Sequence, residues 1–230
     1  MLLNSLAIIP ARGGSKRIPR KSIIDFLGKP IISYPIKAAI ASNCFDEVMV
    51  STDDQEIATL AKAYGAVVPF VRSAITSNDT ATTLEVLIEV LNNYSKLGRR
   101  FEQICCIYPT AVFITAENLQ EARKMLQTTK VDGVATFVRS DHQIERAFEY
   151  ESDYISPKSP KYIQTRTQDL PPSYFDAGQM YFIKVAALES EDAIFVSRMK
   201  PLLLNRNFAQ DIDTQEDLDL AKLKYQLQKF

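Results

Sequence analysis

The sequence predicts an α/β fold built on a mostly parallel sheet with helices on both faces. Two observations carry this. The run Leu6–Ile9 reads as a buried first strand that breaks at Pro10 and Gly13–Gly14. From there to about Val138, short apolar runs alternate with segments of helical periodicity at the close spacing of βαβ units. With 230 residues the chain is one full domain and short for two. We therefore read a single domain over 1–230, with an insertion at about 140–174 where the alternation fails and Pro, Ser, Lys and Tyr accumulate.

Each element has its own signals. Pro30 suits a helix first turn before the apolar pattern Ile31–Ile40, and Pro35 inside that pattern predicts a helix that starts late or kinks. Asp46–Thr52 is the second strand. Asp53, with Glu56 three residues on, resembles a capping box for a helix over Asp54–Tyr64 that Gly65 ends. Val67–Val71 reads as a third short strand, Thr76–Thr80 as a polar capping cluster, and Thr82–Lys96 as a longer helix closed by Gly98. Gln103–Tyr108 is a strand stopped by Pro109–Thr110, Glu117–Leu126 a helix and Val131–Val138 a strand. Strand-like fragments stand near Arg146–Phe148 and Tyr162–Ile163 in the insertion, and the sheet resumes at Gln179–Ile183. A last apolar run leads to Asp211–Ile212–Asp213, after which Thr214 and Asp217 cap a helix to about Gln228.

Composition removes several function classes. Twenty-seven Lys+Arg against 28 Asp+Glu leave a formal charge of −1, so no general grip on nucleic acid is expected. No stretch is long and apolar enough to span a bilayer, and no signal peptide is visible, so neither a membrane nor export is expected. Three cysteines, Cys44, Cys105 and Cys106, lack framework spacing and point to reduced thiols in the cytoplasm. Cys105 and Cys106, adjacent in a strand, face opposite ways and serve packing. The single histidine, His142, lies in a polar loop, which excludes multi-histidine zinc sites and histidine triads.

Two clusters carry chemistry. The first is the loop after strand one, with Arg12, Lys16, Arg17, Arg20 and Lys21 around Gly13–Gly14: free amides and five cations make a site for a polyanion. The second is Asp211–Ile212–Asp213. At strand spacing both carboxylates face one way, where they suit Mg²⁺, or else serve as entry acids for the helix after Thr214. A basic phosphate loop with a carboxylate-held metal equips a protein for phosphoryl or nucleotidyl transfer. A Walker loop is excluded, because Gly28–Lys29 precedes Pro30 and position 23 is Ile; Gly13–Gly14 is not a dinucleotide fingerprint. The basic loop, the Thr52–Asp53 turn and the Tyr108–Pro109–Thr110 turn are all strand carboxyl ends and are expected to converge on one cleft.

Ile9–Arg17 with Lys21 resembles the opening signature of the sialic-acid-type cytidylyltransferases, which join CTP to an acidic nine-carbon α-keto sugar. The resemblance extends through Ser51–Asp54, Val71–Ser73, Asp79–Ala81, Tyr108–Thr110 and Asp211–Thr214. Cys105–Thr110, Thr165–Leu170 and Asp176–Gln179 are similar to the pseudaminic acid branch. It implies a Rossmann-like three-layer α/β/α fold, Mg²⁺ dependence, and a homodimer in which the insertion serves dimerisation and sugar binding. It further implies that Arg12, Gly14, Ser15, Lys16 and Lys21 hold the nucleotide phosphates, that Ala11 and Arg72 lie near the base with Asp79 in the same loop region, and that Ser22 also belongs to the nucleotide site. Arg12, Lys16, Lys21 and Asp211 become the catalytic candidates, Asp211 and Asp213 the metal ligands, and Tyr108, Arg166, Gln168 and Gln179 the sugar contacts. Ser22 replaces the family's usual Asn, and Val112 its usual Pro. The reading left open beside it are another nonulosonate substrate (legionaminic or neuraminic acid), a CTP-binding relative that has lost catalysis, and a scaffold acting through the insertion.

Overall fold

The computed structural model describes residues 2–128 and 130–227. The elements run β1 (Leu2–Pro10), the two-residue strands β2 (Asp25–Phe26) and β3 (Lys29–Pro30), α1 (Ser33–Ser42), β4 (Glu47–Ser51) and α2 (Gln55–Ala63). Next come α3 (Ala74–Ser77), α4 (Thr83–Lys96), β5 (Arg100–Ile107), α5 (Ala116–Thr128) and β6 (Gly133–Arg139). The hairpin β7 (Phe148–Glu151) and β8 (Tyr154–Pro157) precedes β9 (Tyr174–Lys184), α6 (Val185–Glu191), β10 (Met199–Leu204) and α7 (Gln215–Leu227). Gln228, the last residue expected of α7, lies outside the described residues.

Six strands form one sheet in the order β10-β6-β9-β5-β1-β4. Five run parallel in direction, and β9 runs against both its neighbours, β5 and β6. Alternation along β1 sends Ala7 and Ile9 into a core under α1, α2 and α5, and Leu6 and Ile8 into a second core under α4 and α6. Cys105 and Cys106 divide the same way, each fully buried with a free thiol. A third cluster joins Ile18 of the basic loop, Phe26, Ile31, Phe113, Ile212 and Leu218 of α7. It anchors the loop and the Asp211–Asp213 segment on one apolar floor.

Several expectations are corrected. Pro30 pairs with Asp25 in the β2–β3 hairpin instead of opening a helix. α1 starts late, at Ser33, and takes Pro35 into its first turn, where a missing N–H costs nothing. Val67–Val71 is no strand: Val67 makes one bridge to Met49, and Pro69, without an N–H, cannot continue the ladder. The α2 cap is Asp54, not Asp53; its Oδ1 accepts from Glu56 N and Ile57 N. In the insertion Tyr162 ends a 3-10 turn that Pro160 opens, and the strands lie at β7–β8. The strand expected at Gln179–Ile183 begins five residues earlier, at Tyr174. Asp211–Asp213 is not a strand, although Ile212 is fully buried between the two acids, so the alternation holds without a ladder.

Thr82 and Glu85 form a reciprocal capping box that fixes the start of α4 beside Thr83, a cleft residue. Thr82→Ala is expected to cost about 1 kcal/mol of stability, measured as a lowered midpoint of urea unfolding with an unchanged slope.

Candidate active site

The carboxyl ends of β1 and β5 open onto a cleft of about 590 Å³. It is lined by Arg12, Lys16, Arg17 and Lys21 of the loop, by Tyr108–Thr110, and by Asp211 and Asp213. Ser15, Ser22 and Asp79 complete it. Two of the three expected turns thus meet there. The third, Thr52–Asp53, supports the site from behind: Asp53 Oδ1 accepts from Gly13 N at 3.0 Å, and Thr52 O accepts from Arg72 N at 2.9 Å.

The cations of the loop are held by carboxylates. Arg12 Nη1 donates to Asp79 Oδ1 at 2.6 Å, and Lys16 pairs with the other oxygen of Asp79. Arg17 Nη1 lies 2.8 Å from Asp213 Oδ2, and Lys21 Nζ lies 3.1 Å from Asp213 Oδ1 and 2.8 Å from Ile212 O. Lys16 and then Arg12 hold the Asp79 carboxyl below the usual carboxylate range. Arg20 departs from expectation. Its guanidinium turns out of the cleft to Asp54 and Glu56, so four of the five loop cations face the ligand space.

Asp211 and Asp213 are free of the capping duty that was the other reading of this pair. Asp217 Oδ2 accepts from Thr214 N at 2.8 Å and Thr214 Oγ1 accepts from Asp217 N at 3.2 Å, which satisfies the start of α7. Among the described residues Asp211 makes no ion pair. Burial, and then the neighbouring Asp213 charge, raise its carboxyl above the ordinary value, against the pull of Lys21. A carboxylate held above its ordinary value beside a second one is a pair that a hard divalent cation relieves, and the donor set fits Mg²⁺ with water and phosphate as further ligands. No group of three or more acid, His or Cys ligands occurs among the described residues, so the acidic donors at this place are the pair Asp211 and Asp213.

A smaller recess of about 150 Å³, lined by Pro10, Arg12, Arg72, Ala81, Thr82, Thr83, Val86 and Tyr108, shares a wall with the cleft. Arg72 is 7% exposed and donates from Nε to Thr76 Oγ1 and from Nη2 to Thr76 O, with no carboxylate in ion-pair contact among the described residues. Burial lowers its pKa. A buried guanidinium facing a recess selects a partner with acceptor atoms. Tyr108 divides recess from cleft; its hydroxyl shares a 3.0 Å hydrogen bond with Thr83 Oγ1, and burial pushes it up to about 12. Thr83 escaped the sequence reading because a threonine just inside a helix cap looks like capping alone.

Other candidates fall elsewhere. Ala11 is fully buried, so only its backbone can meet a ligand; its N–H donates to Ser51 O. Gln179 is 1% exposed and donates to Phe208 O, away from the cleft lining. Arg166 and Gln168 are exposed on the insertion, and Arg166 pairs locally with Asp169 at 2.7 Å. Neither reaches this chain's cleft.

The two loop glycines differ. A Cβ on Gly13 would lie 2.8 Å from Asp54 Oδ2, whereas one on Gly14 would meet nothing within 4 Å. Gly13→Ala is expected to destabilise by roughly 1–3 kcal/mol through overpacking, and Gly14→Ala to leave thermal unfolding unchanged; paired melting curves test this.

Comparison with known proteins agrees with this geometry. The Cytidylyltransferase family profile matches residues 6–230. The pseudaminic acid cytidylyltransferase of Campylobacter jejuni serotype O:2 is 41% identical over 229 residues, 98% of this chain and 97% of the relative. The CMP-N,N'-diacetyllegionaminic acid synthase of Legionella pneumophila is 30% identical, covering 94% and 93%. Among solved structures, a CMP:2-keto-3-deoxy-manno-octonic acid synthetase complexed with CTP shares the fold at TM-score 0.70 and 17% identity, over 99% of this chain and all of that one. With its profile matched almost end to end on a chain whose basic loop and acidic pair share one cleft, this protein belongs to the cytidylyltransferase family.

Proposed function

We propose that the protein joins CTP and pseudaminic acid to give CMP-pseudaminic acid and pyrophosphate. The observation that carries it is one cleft that four cations share with two carboxylates, of which Asp211 has no ion pair among the described residues, in a chain so similar to pseudaminic acid cytidylyltransferases. The anomeric hydroxyl oxygen of the sugar attacks the α-phosphorus of CTP, the bond from that phosphorus to the bridging oxygen breaks, the hydroxyl proton passes to solvent, and pyrophosphate leaves. Arg12, Lys16 and Lys21 hold the β- and γ-phosphates and take up the charge that grows on the leaving pyrophosphate. Gly14 and Ser15 give the phosphates close access to the backbone, and Ser22 closes that end of the cleft. The recess with Arg72 receives the base, and Tyr108 separates base from sugar. Asp211 and Asp213 would hold Mg²⁺, which lowers the pKa of a bound hydroxyl and neutralises phosphate charge.

The exposure of Phe148, Tyr150, Tyr154 and Ile155 along the β7–β8 hairpin supports a homodimer in which this hairpin packs on a second copy and brings Arg166 and Gln168 toward the partner's cleft. Three buried free thiols support a cytoplasmic setting, and no described helix is long and apolar enough to cross a membrane.

Pyrophosphate release from CTP should require both Mg²⁺ and pseudaminic acid; side-by-side kinetics with legionaminic and neuraminic acids set the specificity, and no release with any of the three sugars would overturn the reading. Asp211→Asn and Asp213→Asn are expected to lower kcat by about two orders of magnitude or more, with partial recovery in excess Mg²⁺. Wild-type turnover in both would remove the acids from catalysis. For the dimer, Tyr150→Glu with Ile155→Glu should convert a dimer to a monomer in sedimentation analysis.

A further inference from the structure

We propose that Arg20 and Asp54 form a positioning clamp that sets the shape of the phosphate loop, and that Arg20 is not itself a phosphate ligand. The loop leaves the sheet at Pro10 and re-enters ordered structure at the 3-10 turn Lys21–Ile23. Both ends are tied to one turn, that between β4 and α2. At the first end, Gly13 N donates to Asp53 Oδ1, and the backbone passes so close to Asp54 that no side chain fits at Gly13. At the second, Arg20 grips Asp54 with both terminal nitrogens, Nη1 to Oδ2 and Nη2 to Oδ1 at 3.1 Å, and Nη2 reaches Glu56 as well.

Three details separate this from an incidental surface pair. Arg20 has φ 58° and ψ 30°, a left-handed backbone that costs a non-glycine residue about 1 kcal/mol and persists only when something holds it. That conformation turns Arg20 away and sends the next side chain, Lys21, into the cleft to Asp213. The Asp54 carboxylate is itself immobile, because it caps α2 through two backbone N–H groups and Thr52 Oγ1 accepts from its N–H at 3.1 Å. The span left between the ties, residues 14–19, carries Lys16 and Arg17, two of the four cations that face the ligand space, and Arg12 and Lys21 flank it on either side. A fork of two parallel hydrogen bonds fixes direction as well as distance. The clamp therefore sets where Lys16, Arg17 and Lys21 can reach, at the cost of one cation withheld from the phosphates.

The enzymatic readout rests on the function proposed above; the structural one does not. Two variants release the clamp while keeping local structure. Asp54→Asn retains a good helix cap, and Arg20→Gly suits the left-handed backbone. Each should keep the wild-type melting temperature to within a few degrees yet weaken calorimetric CTP binding, and raise KM for CTP, by about tenfold, with KM for the sugar unchanged. The double variant should match either single one, and Arg20→Lys should recover part of the loss. Amide hydrogen exchange over residues 13–21 should quicken in both variants without any ligand. Unchanged exchange overturns the clamp, as does unchanged or tighter CTP binding, which would make Arg20 a spare or a competing phosphate ligand. If the wild type binds no CTP, the functional reading fails, and the exchange result still decides the clamp.

Discussion

A site for a polyanion must hold several cations close together before the anion arrives, and like charges at such range repel. Here each shared carboxylate answers two cations: Asp79 bridges Arg12 and Lys16, and Asp213 bridges Arg17 and Lys21. The repulsion is thus reduced without ligand while positive charge stays in excess, and the pairs stay open to exchange, since they are partly exposed and individually weak. A triphosphate, with more charge and more oxygens than either carboxylate, can replace them on the same donors. The remaining architecture serves that arrangement. Parallel strands bring the β1 and β5 ends together, and the Ile18–Ile212 cluster holds the loop and the acids on one floor.

The acids divide their work in a way that spacing alone leaves open. Four acidic side chains stand near the start of the last helix or at its approach: Asp211, Asp213, Glu216 and Asp217. Only the geometry separates capping from ligand binding, by giving the cap to Asp217. The same logic applies at the other helix that borders the loop, where the cap falls to Asp54 and frees Asp53 for Gly13.

What could be read in advance followed from local chemistry. The buried first strand, the late start of α1 with Pro35 in its first turn, the opposed faces of Cys105 and Cys106, and the Thr214–Asp217 cap each depend on residues within one turn or one pleat. The cleft itself was legible because strand carboxyl ends share one edge in a parallel sheet. What was not legible depends on partners distant in sequence. Arg20 looks like any other loop cation until Asp54, 34 residues on, is seen to hold it. Val67–Val71 has strand composition but no second neighbour to pair with beyond one bridge. The direction of β9 is decided by the insertion before it, which returns the chain to the end of the sheet where it left.

That reversed strand has a further consequence, for how the chain reaches its native state. Within the sheet, β9 is the strand that joins two blocks, β4-β1-β5 on one side and β6-β10 on the other. Until it is synthesised and seated, the inner edges of β5 and β6 stand unpaired, and both strands carry buried apolar residues, Ile104–Ile107 and Val134–Ala135. β6 must wait through the whole insertion for its neighbour. The sheet therefore closes late, through contacts distant in sequence, which slows folding and leaves a nascent chain open to edge-to-edge association during that interval.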